Sequence, residues 1–137
     1  VSFDTGNGAY PSISGTHNGT ITPSSNITVR KLYTYPCPGT GGHTEYVKIW
    51  NTSWDGAEAH WSGYQGDWHN ISFNETFTLV AHEPYQYTIK TGSYPQIHHT
   101  DFLEASNGMG TITCDKFIDA NDRVYYYDWI PAIRLFL

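Results

Sequence analysis

A two-residue rhythm limits this chain more than any other feature. In "NISFNETFTLV", Ile71, Phe73, Phe77 and Leu79 fall at one parity, while Asn70, Ser72, Asn74 and Thr76 fall at the other. Successive side chains of an extended strand point to opposite faces, so this rhythm makes one apolar and one polar face. A helix needs apolar residues three and four apart, and no stretch sustains that spacing. The rhythm recurs in "NITVRKLYTYP", which places Ile27, Val29, Tyr33 and Tyr35 on one face, and in "YQYTIKTG", with Tyr85, Tyr87 and Ile89. Glu75 falls on the apolar parity of its strand, which predicts a turn or bulge there and places Asn70 and Asn74 in solvent around a corner.

Turn residues separate these runs. "EYVKIWN" follows the Gly-rich stretch 39–42, a short strand is expected at 57–62, and "AHEP" joins two runs as a hairpin would. "QIHHTDFLE", "GTITCDKFID" and "VYYYDWIPAIRLFL" complete the series, with "DANDR" at 119–123 as an Asx-type turn. About nine strands without a helix predict an all-β, antiparallel two-sheet sandwich, jelly-roll-like in form. The chain of 137 residues suits a single core. Two parts are expected: an extended N-terminal segment over 1–25, rich in Gly, Ser and Thr, and a sandwich over 26–137.

Composition excludes several function classes. Charged residues make up 15% of the chain, its formal charge is −6, and no Lys/Arg cluster occurs, so the footprint of a nucleic-acid binder is missing. No run approaches the roughly 18–20 apolar residues of a membrane-spanning helix. The chain begins at Val1 without an apolar leader, as expected of a processed product or of a start set in another way.

Five of eight asparagines lie in N-x-[ST] acceptor sites: Asn18, Asn26, Asn51, Asn70 and Asn74. With 26 Ser and Thr in 137 residues, chance gives roughly 1.5 such sites, so the excess points to a glycosylated, extracellular surface. Cys37 and Cys114 lack the spacing of a zinc or redox motif. In a secreted chain they are expected to pair, closing a loop whose constraint contributes about 4 kcal/mol.

Catalytic templates are missing: there is no GxSxG elbow, no phosphate-binding loop and no HExxH, so no enzyme activity is expected and no cofactor is required. Seven histidines raise metal binding as a further expectation. His43 and Glu45 would share a strand face, and His98 or His99 on a neighbouring strand would add a nitrogen ligand for a divalent ion. For the turn "DANDR" the local oxygen ligands are too few for calcium. Trp54, Trp61 and Trp68, seven apart among glycines, suit sugar stacking, although core filling is the favoured role.

"GTGGHTEYVKIWN", "GDWHNISFNETFTLV", "TGSYPQIHH" and "DWIPAIRL" resemble a family of secreted archaeal β-sandwich domains of cell-surface proteins, over most of residues 26–135. Similar protomers build extracellular fibres by donating an N-terminal strand. The resemblance implies a structural role, with further copies of the same chain as head-to-tail partners. No motif of the family falls in residues 1–22, so strand donation rests there on physics. Val1, Phe3, Tyr10, Ile13 and Ile21 are the sparse apolar residues that would fill a neighbour's pockets while the main chain pairs with its sheet edge. The alternative expectation is a monomeric secreted module that binds carbohydrate or metal.

Overall fold

The computed structural model describes residues 2–9 and 13–137. Among these no helix occurs, and the strands are β1 (Phe3–Asp4), β2 (Gly15–Pro23), β3 (Ile27–Thr34), β4 (His43–Asn51), β5 (Trp54–His60), β6 (Asn70–Leu79), β7 (Tyr85–Gly92), β8 (Ile97–His98), β9 (Leu103–Glu104), β10 (Gly110–Asp119), β11 (Val124–Tyr125), β12 (Ile130–Pro131) and β13 (Ile133–Phe136). The larger sheet runs β11-β10-β2-β7-β4-β5, with β9 also on β10. The smaller runs β1-β13-β3-β6, and β12 with β8 forms a two-stranded ribbon. Every strand pairing is antiparallel.

One core collects the apolar parity of both large sheets. Ile21, Val47, Ile49, Tyr87, Ile89 and Ile112 of the larger sheet join Ile27, Val29, Leu32, Phe73, Leu79 and Leu135 of the smaller in a single buried cluster. Alternation therefore does what it predicts along β6: Ile71, Phe73, Phe77 and Leu79 are buried, and Ser72, Asn74, Thr76 and Thr78 are exposed. Glu75 marks the expected bulge. Two steps along β3, from Val29 to Lys31, are matched by five along β6, from Phe77 back to Ser72, and Glu75 emerges into solvent. The strand continues through this irregularity, and Asn74 Oδ1 accepts a 3.1 Å bond from the Glu58 amide on β5.

The same irregularity corrects the reading of β3. Beyond it Leu32 and Thr34 face inward, so Tyr33 and Tyr35 are turned to the partly exposed side and do not extend the face of Ile27 and Val29. A one-residue shift exchanges the two faces of a strand, and the sequence rhythm of "VRKLYTY" does not show where the shift falls.

The expected hairpin between β6 and β7 does not form. β6 pairs with β3, whereas β7 pairs with β2 and β4, so the loop at 80–84 crosses from the smaller sheet to the larger. His82 takes a positive φ of 68° there and donates its amide to Pro23 O at 2.7 Å. Two strands with one apolar face each can lie side by side or face to face across the core, and alternation is the same in both.

No disulfide joins Cys37 and Cys114, contrary to expectation. Cys37 lies past β3, its sulfur 3.7 Å from Pro95 O. Cys114 sits mid-strand in β10 opposite Gly19, its sulfur 3.6 Å from Lys116 O. Both are buried and act as small apolar groups. Burial pushes the Cys114 thiol up to about 11, which leaves it protonated.

Candidate functional site

The site of interest is the seat of the N-terminal segment. β1 adds to the edge of the smaller sheet, with Phe3 opposite Leu135 and Asp4 opposite Arg134. Alternate side chains enter the core: Phe3 is fully buried, and Thr5, also buried, accepts the Ile133 amide at 2.9 Å on its hydroxyl. Between them Asp4 turns outward, accepting the Tyr35 hydroxyl at 2.6 Å and the Gly6 amide at 2.9 Å. Burial first, and this bond second, push the Tyr35 phenol far above its usual range, so it remains a donor. Farther along, Gly8 donates to Gln96 Oε1 at 2.8 Å and Ala9 to Ile97 O at 2.7 Å.

β2 enters the larger sheet as an interior strand, paired with β10 on one side and β7 on the other. Its inward residues are His17, Gly19, Ile21 and Pro23. Gly19 is dictated by space: a Cβ there would stand 2.0 Å from Thr113 O and 2.8 Å from the Tyr87 hydroxyl. The fully buried Tyr87 hydroxyl donates to Thr113 O at 2.6 Å beneath this gap.

His17 fills the next inward position. Its Nδ1–H donates to Trp129 O at 2.7 Å, Nε2 lies 3.3 Å from Thr91 Oγ1, and its ring centroid is 4.4 Å from that of Phe117. Complete burial lowers its pKa to about 4, against the raising effect of the Trp129 bond, so the ring is neutral in the folded chain at neutral pH. A single link at 24–26, exposed throughout, joins the segment to β3.

Of the sequence-derived seat residues, Phe3 and Ile21 are fully buried and Ile13 packs partly buried against the core. Val1 and Tyr10 lie outside the described residues. The residues that sequence reasoning missed are Thr5, His17 and Gly19. A glycine inside a strand signals close backbone approach, and that was the available clue.

The acceptor asparagines fall into two groups. Asn18, Asn26, Asn51 and Asn74 use Oδ1 as the bonded atom, accepting from Thr88 Oγ1, the Ala81 amide, the Ser53 amide and the Glu58 amide respectively. Asn70 differs: its Nδ2 donates to Asp67 Oδ2 at 2.5 Å, and it is half-buried where exposure was expected. Asn74 is exposed.

The proposed metal ligands are only partly brought together. His43 Nε2 lies 3.4 Å from Glu45 Oε2. His98 Nε2 is bonded to Gly6 O and His99 Nδ1 to Asp128 O, and the described residues hold no group of three or more His, Cys, Asp or Glu able to bind an ion. In the 119–123 turn Asp119 Oδ1 accepts the Asn121 and Arg123 amides, which makes it a turn residue. Trp54 packs against Phe77 and Tyr85 at the core margin, with ring centroids 5.1 and 6.2 Å away.

Comparison of the chain with protein-family models finds no match, and comparison with curated proteins finds none either.

Proposed function

We propose that this protein is a structural subunit of an extracellular, N-glycosylated filament or surface layer, built as a jelly-roll-like two-sheet sandwich and polymerising by N-terminal strand addition. One observation carries the reading. Residues 2–9 and 13–23 complete both large sheets, yet one exposed link at 24–26 is their sole covalent tie to the rest. If that link straightens, the same main-chain bonds and the same Phe3, His17, Gly19 and Ile21 seats serve the segment of a neighbouring copy. Each copy then gives one segment and receives one. A contact of that kind does not close on itself and so propagates.

Other features agree with this reading. The acceptor asparagines 18, 26, 51 and 74 hold their amides by the oxygen, which leaves Nδ2, the atom that bears a sugar, unengaged in any of these bonds. No helix among the described residues is long and apolar enough to cross a membrane. A monomer with the segment in its own sheets uses identical bonds, so concentration dependence separates the two. The full chain is unfolded, refolded at rising concentration and followed by light scattering and electron microscopy. Filaments that disappear when residues 1–23 are deleted, and reappear nowhere in the deleted chain, are the expected result. Monodisperse monomers from the full chain at every concentration overturn the reading.

A further inference from the structure

We infer that the cup formed by the β5–β6 loop, residues 61–69, binds a pyranose ring. Trp61 and Trp68 stand near the two ends of this loop, and Tyr64 packs edge-on against both, at centroid distances of 4.7 and 5.6 Å. His43 stacks on Trp61 at 3.7 Å and also meets the edge of Tyr64 at 5.5 Å. The cup encloses about 260 Å³ and is lined by Trp61, Ser62, Gln65, Asp67, Trp68 and Asn70, among others.

Its unsatisfied polar groups set it apart from the rest of the surface. Five buried side-chain polar atoms among the described residues lack a hydrogen-bond partner, and three of them, Trp61 Nε1, Trp68 Nε1 and Asn70 Oδ1, belong to side chains that line this cup. A buried donor or acceptor without a partner is a costly arrangement that calls for something to complete it. Reaching a guest requires these atoms to turn toward the cup, and the loop that carries them contains Gly63 and Gly66, at positive φ angles of 102° and 60° with open space where a Cβ would stand.

The chemistry selects the guest. Two indole N–H donors need acceptors and an amide oxygen needs a donor, while the indole rings offer apolar surface. A sugar ring supplies all three from one small body. An apolar ligand would leave the N–H groups unpaired, and an anion would meet the Asp67 carboxylate. The volume suits a single sugar better than a drug-sized ligand, whose pockets begin at about 300 Å³. Two sources of the ring share this chemistry. One is a separate saccharide, and the other is the first sugar on Asn70 itself. Attachment there replaces one Nδ2 hydrogen and leaves the second for the bond to Asp67.

The test has two arms, and neither depends on polymerisation. Chain made in a host without N-glycosylation is titrated with glucose, mannose and N-acetylglucosamine, and saturation transfer from protein to sugar is read by NMR. Binding of at least one sugar is expected, about tenfold weaker in Trp68→Ala and unchanged in Trp54→Phe, with the amide spectrum confirming that both variants fold. In glycosylated chain, cross-relaxation between the indole protons of Trp61 or Trp68 and the Asn70-linked sugar is expected if that sugar is the occupant. It is then lost in Asn70→Gln, which becomes able to bind the free sugar. No transfer in the first arm and no indole–sugar contact in the second mean that the cup holds water alone, and the inference falls. An unmodified Asn70 beside sugar binding in the first arm assigns the cup to a separate saccharide.

Discussion

β2 and the 61–69 loop are built from opposite materials and meet opposite fates. "GTHNGTITP" has one large aliphatic residue, yet it runs through the interior of the larger sheet. "WSGYQGDWH" has three large aromatic residues, yet it lies at the surface, with Tyr64 58% exposed. The difference shows that main-chain pairing on both sides can hold a central strand whose side chains are small, with Gly19 seated where a Cβ would meet Thr113 O. The loop is backed only in part: Trp61 rests on His43 and packs against the core cluster, whereas Trp68 lies outside that cluster and Tyr64 is exposed. Its rings pack on one another and leave polar atoms unpaired.

That contrast can be broken most sharply at Gly19. Gly19→Val places atoms where Thr113 O and the Tyr87 hydroxyl already stand, so it is expected to destabilise the chain by about 4 kcal/mol or prevent folding. Denaturant midpoints check this, and a midpoint within the error of the parent would show that β2 is not seated this closely.

Acid titration follows in size. His17 is depressed to about 4 in the fold against 6.5 unfolded, so between those values the unfolded chain binds the extra proton. Stability therefore falls as pH drops from about 6.5 to about 4, by on the order of 3 kcal/mol, and levels below that. His98, half-buried and also lowered by burial, adds a slope of the same sign. His17→Phe should flatten most of the slope in denaturant melts across that range, and an unchanged slope would remove β2 from the acid response.

Trp68→Ala is expected to cost only about 1 kcal/mol, because Trp68 is half-buried, lies outside the main core cluster and has an unpaired N–H. A loss of about 3 kcal/mol or more, the range of a core aromatic, would erase the contrast between loop and core. Least of all should reductant matter. Without a disulfide the melting temperature should not shift on adding a thiol, and two thiols per unfolded chain should react with a thiol reagent.

The legible part of the fold was its faces. The burial of Ile71, Phe73, Phe77 and Leu79, the bulge at Glu75 and the outward Asn74 follow from spacing and one misplaced charge. Less legible was which face met which. The β6–β7 crossing and the reversal at Tyr33 both leave local alternation intact, so no short-range signal marks them. For the seat, Phe3 and Ile21 stood out as isolated apolar residues in a polar stretch. His17 did not, since a buried neutral histidine is defined by Trp129, Thr91 and Phe117, all distant in sequence.

By itself the sequence determined that this is an all-β chain with sided strands, because a period of two is a local property of extended backbone. Tertiary structure alone decided the neighbours: β2 between β10 and β7, two cysteines kept unjoined in separate surroundings, and three aromatic rings gathered over a small polar cup. The physical reason is that pairing partners are chosen by the simultaneous fit of many distant surfaces, and no single strand carries that information.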